Sequence, residues 1–178
     1  MSLRTLDKIS DLFFAIGDAI IEADIGVKVG NYDDFDGQVG DATVLIEIEA
    51  TGPAVRSNDG RKAHQVTVTL HGVVAKWRPH STLEAANLAT LLERIATDNR
   101  WGLPGRQCSV PENQRSGPSM FQTGADGYDA WGTSFTQTIY IGPALADDPV
   151  ITAMPQAAYS WQVTTLDDPE QYRPLEEI

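Results

Sequence analysis

The sequence predicts an α+β fold: a mainly antiparallel β-sheet flanked by two α-helices on one face, with long loops and an irregular C-terminal extension. Three observations lead there. The run Ala63 to Trp77, AHQVTVTLHGVVAKW, is the longest β-like stretch. Val66, Val68 and Leu70 fall on one face of it and Gln65, Thr67, Thr69 and His71 on the other, the period-2 pattern of a strand with one buried side. Two stretches carry apolar residues at helical spacing, one near the N-terminus and one directly after Arg78-Pro79. The elements follow as helix, weak strand, strand, long loop, strand, helix, irregular segment, strand and tail. Antiparallel strands with both helices on one face are the economical packing of that order.

Leu3 to Ala23 reads as an amphipathic helix, because Leu6, Ile9, Phe13, Ile16 and Ile20 recur at spacings of three and four. Ser2 stands as its N-cap and Asp7 near the positive end of its dipole. Gly17 marks close packing, since glycine costs roughly 1 kcal/mol in a helix interior. Ile25 to Gly30 is a short strand, and NYDDFDGQVGD at 31–41 an acidic loop. Thr43 to Ala50 is a strand, with Val44, Ile46 and Ile48 opposite Glu47 and Glu49. Thr51 to Lys62 then forms the long tip of a hairpin around Asp59-Gly60, and Arg56, Arg61 and Lys62 make it the most basic patch of the chain. The central run, at about 3.3 Å per residue, would span roughly 45 Å, so one end is expected to project as half of a hairpin arm. Gly72 within it signals a bulge or a close backbone approach. Ser81-Thr82-Leu83-Glu84 matches a capping box, and Leu88, Leu91, Leu92 and Ile95 face one way along a helix to about Asp98. From Trp101 to Gly132 the chain is rich in Gly, Pro, Ser and Gln, with one short strand expected near Gly105 to Val110. Ser134 to Gly142 is a further strand. Prolines at 143, 149, 155, 169 and 174 forbid a long regular element after it, leaving Tyr159 to Thr164 as an expected extra strand. The reading is a domain at 1–145 and a C-terminal extension at 146–178.

A chain of 178 residues with 42% hydrophobic residues fits one domain with an appended segment. Its net charge of −12, from 25 acidic and 13 basic residues, weighs against tight nucleic-acid binding, which needs clustered Lys and Arg. Cys108 is the one cysteine; it permits no intrachain disulfide and reads as a small buried apolar residue. The N-terminal stretch lacks a secretory-signal pattern and the apolar runs fall short of a membrane span, so a cytoplasmic place of synthesis is expected. Asp33, Asp34, Asp36 and Asp41 do not have EF-hand spacing and read as a solvated loop. His64 and His71 point to opposite faces of a regular strand and share no zinc ion there. Neither a nucleophile elbow nor a phosphate-binding glycine loop occurs. Trp77, Trp101, Trp131 and Trp161 read as core or interface anchors. The expectation is an assembly protein without catalytic, metal or cofactor residues. The competing reading is a small-molecule-binding or hydrolytic domain, whose mark would be His71, Asp41 and a serine gathered in an apolar pocket.

DKISDLFFAIGDAI at the start, AHQVTVTLHGVVAKW leading into HSTLEAANLATLLERI, and WGTSFTQTIYIG at the end form an order that resembles the tail terminator, or tail-completion, proteins of long-tailed bacteriophages and of phage-tail-like particles such as R-type pyocins. The likeness covers roughly residues 3–145. It implies an α+β subunit that assembles as a homo-hexameric ring on the head-proximal end of a tail tube. Such a ring stops tube polymerisation and forms the surface for head joining. The implied partners are further copies of the chain, the tail tube protein, a neck or head-completion protein and, in a sheathed tail, the sheath protein. DNA would pass through the ring without specific binding, and the implied location is the virion tail. A neck or head-closure subunit of the same particle shares this pattern. Within that picture Arg56, Asp59, Arg61 and Lys62 on the projecting tip, and Glu47 and Glu49 on the outer strand face, are the interface candidates.

Overall fold

The computed structural model describes residues 5–124 and 126–144, and the backbone of 158–159 and 173–174. Helix α1 spans Ile9–Glu22 and strand β1 Lys28–Asn31; a 3-10 turn follows at Tyr32–Asp34. Then come β2 at Ala42–Ala54, β3 at Lys62–Ala75, α2 at Ser81–Ala96, β4 at Glu112–Gln122 and β5 at Tyr128–Ile141. These strands form one sheet in the order β1-β2-β3-β5-β4, with β1 parallel to β2 and every other pairing antiparallel. The fold is α+β, as the sequence predicts. The chain divides into two compact units, Met1–Ala146 and Asp147–Ile178. The first holds this sheet and both helices. In the second, β6 (Ala158–Tyr159) pairs antiparallel with β7 (Arg173–Pro174). Residues 160–164 of the expected strand, Trp161 and the expected Ser2 cap lie outside the described residues.

β3 is the centre of the sheet. Every residue from Lys62 to Ala75 pairs with β5, and β2 accompanies it from Ala54↔Ala63 to Ala42↔Val74. The expected projecting arm is therefore absent from the β3 residues, because both flanking strands extend further than their apolar patterns reach. Register runs unbroken through Gly72; the bulge falls instead between Ile48 and Ala50. Gly72 is a close-approach glycine: a Cβ there would stand 2.8 Å from Leu88 Cγ on α2. Ala85 and Ala89 on the same helix are buried, and Thr133 of β5 donates from Oγ1 to the Ala89 carbonyl at 2.8 Å. Small residues on both sides thus let α2 lie close over β3 and β5.

One apolar core fills the helix side. Leu12, Ile16 and Ile20 of α1 and Leu92 and Ala96 of α2 meet Val44, Ile46, Val66, Val68, Leu70, Phe135 and Ile139 of the sheet. Helix α1 contacts β1 and β2, while α2 contacts β3, β5 and β4. Trp101 stacks on Phe135 at 5.9 Å and donates from its indole to Gln137 Oε1 at 2.8 Å. Cys108 is buried and pairs by a single bridge with Ile139, which is all that forms of the strand expected at 105–110. Burial pushes its thiol up to about 12, so it is an inert packing residue.

Both helix starts differ from the sequence expectation. α1 begins at Ile9 rather than Leu3, where the Asp11 carboxylate accepts the Asp7 and Lys8 amides at 2.9 and 3.0 Å. Leu6 is buried all the same. Its amide donates to Gln107 Oε1 at 3.2 Å and its carbonyl accepts from Gln107 Nε2 at 3.0 Å. At α2 the capping box does not form. His80 takes the cap position in the left-handed region, φ 58°, and Ser81 turns its hydroxyl to Asp129 Oδ2 at 2.5 Å. Glu84 accepts from Arg78 Nε at 2.5 Å instead of closing back on the cap. A carboxylate supplied by β5 replaces the local one, and it sits where the helix dipole favours negative charge.

β4 was not visible in the sequence. Gly117 and Pro118 interrupt it, and its pairing to β5 shifts register twice. It lies at the edge of the sheet, the place where a strand tolerates proline. Among the described residues no helix is long and apolar enough to cross a membrane.

Candidate functional site

The sheet face away from the helices is only partly covered. At one end Leu45, Val73 and Ala130 pack under Tyr32, Phe35, Val39, Met120 and Tyr128. Phe35 and Tyr128 meet edge to face at 5.3 Å there. Beside this cap lies an open polar groove of about 450 Å³. Cross-strand register builds its floor, because Glu47, Thr69 and Ser134 form one row and Leu45, His71 and Gly132 the next. Tyr32 lines one side and Arg115 to Ser119 of β4 the other.

His71 is the most constrained group in the groove, with 6% of its surface exposed. Its Nε2 lies 2.8 Å from Glu47 Oε2, Tyr32 stacks over its ring at 4.9 Å, and Nδ1 has no hydrogen-bond partner. With the proton on Nε2 and directed at the Glu47 carboxylate, Nδ1 is a bare acceptor. The Thr69 hydroxyl donates to Glu49 and contacts the Ser134 hydroxyl. Glu47 and Glu49 are therefore on one face, as the strand pattern predicts.

The other candidate residues lie at the β2–β3 turn. The expected twelve-residue tip is shorter, since β2 continues to Ala54 and β3 starts at Lys62. Residues 55–61 close on themselves: Gly60 N donates to Ser57 O at 3.0 Å, Arg61 N to Ser57 Oγ at 3.0 Å, and Ser57 Oγ to Asp59. The Ser57 bond, with help from Arg61, holds the Asp59 carboxyl below its ordinary value. The Arg61 guanidinium pairs with Asp59 Oδ2 at 2.7 Å and donates to the Gly142 carbonyl at 3.0 Å. Arg61 and Asp59 thus tie the tip to the end of β5. Arg56 and Lys62 are exposed, and next to Arg56 the Val55 side chain is 88% exposed.

Asp41 does not join His71. It pairs with Arg78, which also binds Glu84. These bonds, the Glu84 bond foremost, raise the Arg78 pKa. Asp129 takes Lys76 Nζ at 2.6 Å along with Ser81 and Thr82. The gathering of His71, Asp41 and a serine that would mark a hydrolytic site is thus not made by these residues. In the acidic loop, Asp34 accepts from Asn31 Nδ2 at 3.0 Å and Asp36 from the Gln38 amide at 2.9 Å. Among the described residues no group of three or more His, Cys, Asp or Glu is placed to hold a metal ion.

Large apolar side chains are exposed at both ends of the strand order. On the α1 side these are Phe14 and Ile21, two turns apart on one helix face. On the β4 side they are Phe121, 75% exposed, and Leu83 at the start of α2. Trp77 is also exposed, with its indole donating to the Gly40 carbonyl at 3.0 Å. The sequence gives no sign of Tyr32 or Arg115 as groove residues, and its competing reading sets His71 with Asp41 rather than with Glu47. Odd-numbered strand positions place His71 beside Glu47 only once the β2–β3 register is known, and Arg115 enters only with β4. No protein-family model matches the chain, and no curated protein matches it.

Proposed function

We propose that this chain is a non-enzymatic assembly subunit of the tail-terminator kind, closing the head-proximal end of a phage or phage-like tail tube as a ring of identical copies. The observation that carries the reading is the pair of unlike apolar patches at opposite ends of the sheet, Phe14 and Ile21 at one and Phe121 and Leu83 at the other. A contact between unlike patches is heterologous, and heterologous contacts generate rings when the rotation closes. The net charge of −12 suits a wall past which DNA moves without sticking. The partners are then further copies of the chain, the tube protein on one side and a neck or head-completion protein on the other, with the virion tail as the location.

The His71–Glu47 pair beside Ser134 favours one other reading, a small-molecule or hydrolytic groove. In that reading Glu47 would orient the imidazole through Nε2. The proton-accepting nitrogen would be Nδ1, which is buried and bonded to no hydroxyl, so the assembly reading is preferred. Negative-stain microscopy and native mass measurement, with and without tail tubes, test it. Rings seated at one tube end are expected, and Phe14→Asp or Phe121→Asp should abolish them. A chain that ignores tubes at every concentration overturns the proposal.

A further inference from the structure

We infer that the polar groove receives the Arg56 side chain of a second copy of this chain, so that the hairpin tip of one subunit docks on the open sheet face of the next. The inference rests on the self-assembly reading and adds a polar contact to its apolar one. Three features of the groove select a guanidinium. Its carboxylates, Glu47 and Glu49, keep lone pairs beyond the bonds they make with His71 and Thr69. Arginine offers five donors and no acceptor. Glu47 and Glu49 set two carboxylates against the single guanidinium of the exposed Arg115, and one further cation balances them. The groove, at about 450 Å³, also has room for an arginine and a neighbouring aliphatic side chain.

The tip supplies both. Arg56 and Val55 are adjacent and exposed, whereas Arg61 is occupied with Asp59 and Gly142. The tip cannot serve its own groove. Arg56 lies seven positions beyond Glu49 on the outgoing side of the same hairpin, roughly 20 Å along a strand, beyond the reach of one side chain. The occupant is therefore another molecule, and the contact joins unlike surfaces, the condition for a ring.

Cross-linking tests this directly, because the native Cys108 is buried and leaves engineered thiols as the reactive ones. Differently tagged Val55→Cys and Ser119→Cys chains, which keep Arg56, Glu47 and Glu49, are mixed under mild oxidation over a concentration series, with and without tubes. Both positions are exposed, so the folds stay intact. The expected result is a mixed disulfide in excess of both homodimers by about tenfold. A random distribution in every condition overturns the inference. Arg56→Glu and Glu49→Arg in the native background give the charge test through ring formation. Each alone should abolish rings and the two together in one chain should restore them. If wild-type chains cap tubes and Arg56→Glu chains cap them equally well, the docking inference fails while the assembly reading stands. If the mixed disulfide forms but wild-type chains never engage tubes, the docking stands and the terminator reading fails.

Discussion

Asp129 joins three elements through one side chain. It sits on β5, binds Lys76 at the end of β3, and holds Ser81 and Thr82 in the first turn of α2. Burial alone would raise its carboxyl, but the bonds from Lys76, Ser81 and Thr82 outweigh that and hold it below the ordinary value, about 3.9 for an aspartate. At neutral pH the charged form is present in folded and unfolded chains alike, and only the folded chain gains these bonds. The contribution is therefore whole above the ordinary value and is lost as pH falls through the lower, folded-state value. Asp129→Asn should cost about 2 kcal/mol at pH 7, the scale of a buried network that loses its charged acceptor. It should also flatten the acid limb of the stability curve. Equal loss for mutant and wild type at every pH in urea melts would show that Asp129 is not the acid-sensitive group. The sequence marked Ser81 as an N-cap and gave no sign of this bond, because the partner lies 48 positions away.

At the scale of elements, apolar periodicity reported what each element buries and little of where it ends. β3 and the inner half of β2 were legible because one face is continuously apolar: Val68 and Leu70 meet Ile48 and Ile46 in register, and Val66 continues the same face. The outer halves of β2 and β5 were not, since Thr51 to Ala54 are held by ladder bonds to β3 and not by an apolar stripe, and Tyr128 and Ala130 pack in the small cluster on the open face, most of whose other members are distant in sequence. β4 is the extreme case: two exposed positions stand for each half-buried one, around a proline, and only its neighbour makes it a strand. Leu6 likewise fits the helical spacing yet precedes the helix, because the Gln107 amide binds both polar groups of its backbone like a one-residue strand. Gln107 is buried, so Gln107→Ala strands that backbone pair and should cost roughly 2 kcal/mol. Amide exchange should quicken at Leu6 and through the first turn of α1 before it does in the sheet. Protection unchanged at these amides would mean that core packing of Leu6, and not the clasp, holds the segment.

At the scale of the whole molecule, the candidate site was half legible. Glu47 and Glu49 share a face because strand alternation requires it, and the tip is charged because its composition says so. What composition could not give is that Arg61 is consumed internally while Arg56 stays free, or that His71 comes to lie beside Glu47. Both follow from register across sequence-distant strands. The same composition governs how copies meet. Each carries a formal charge of −12, so approaching subunits repel over the Debye length, roughly 30 Å at 0.01 M salt and 8 Å at 0.15 M. The apolar contacts proposed at Phe14, Ile21, Phe121 and Leu83 are insensitive to that screening, and a charge pair held in a groove is screened less than exposed charges are. Self-association measured by sedimentation should therefore strengthen as salt rises from 0.01 to about 0.15 M, and Arg56→Glu should stay weak throughout. The opposite trend, with association strongest at the lowest salt, would mean that exposed ion pairs dominate the interface, and the apolar patches would lose their place as the surfaces that join the subunits.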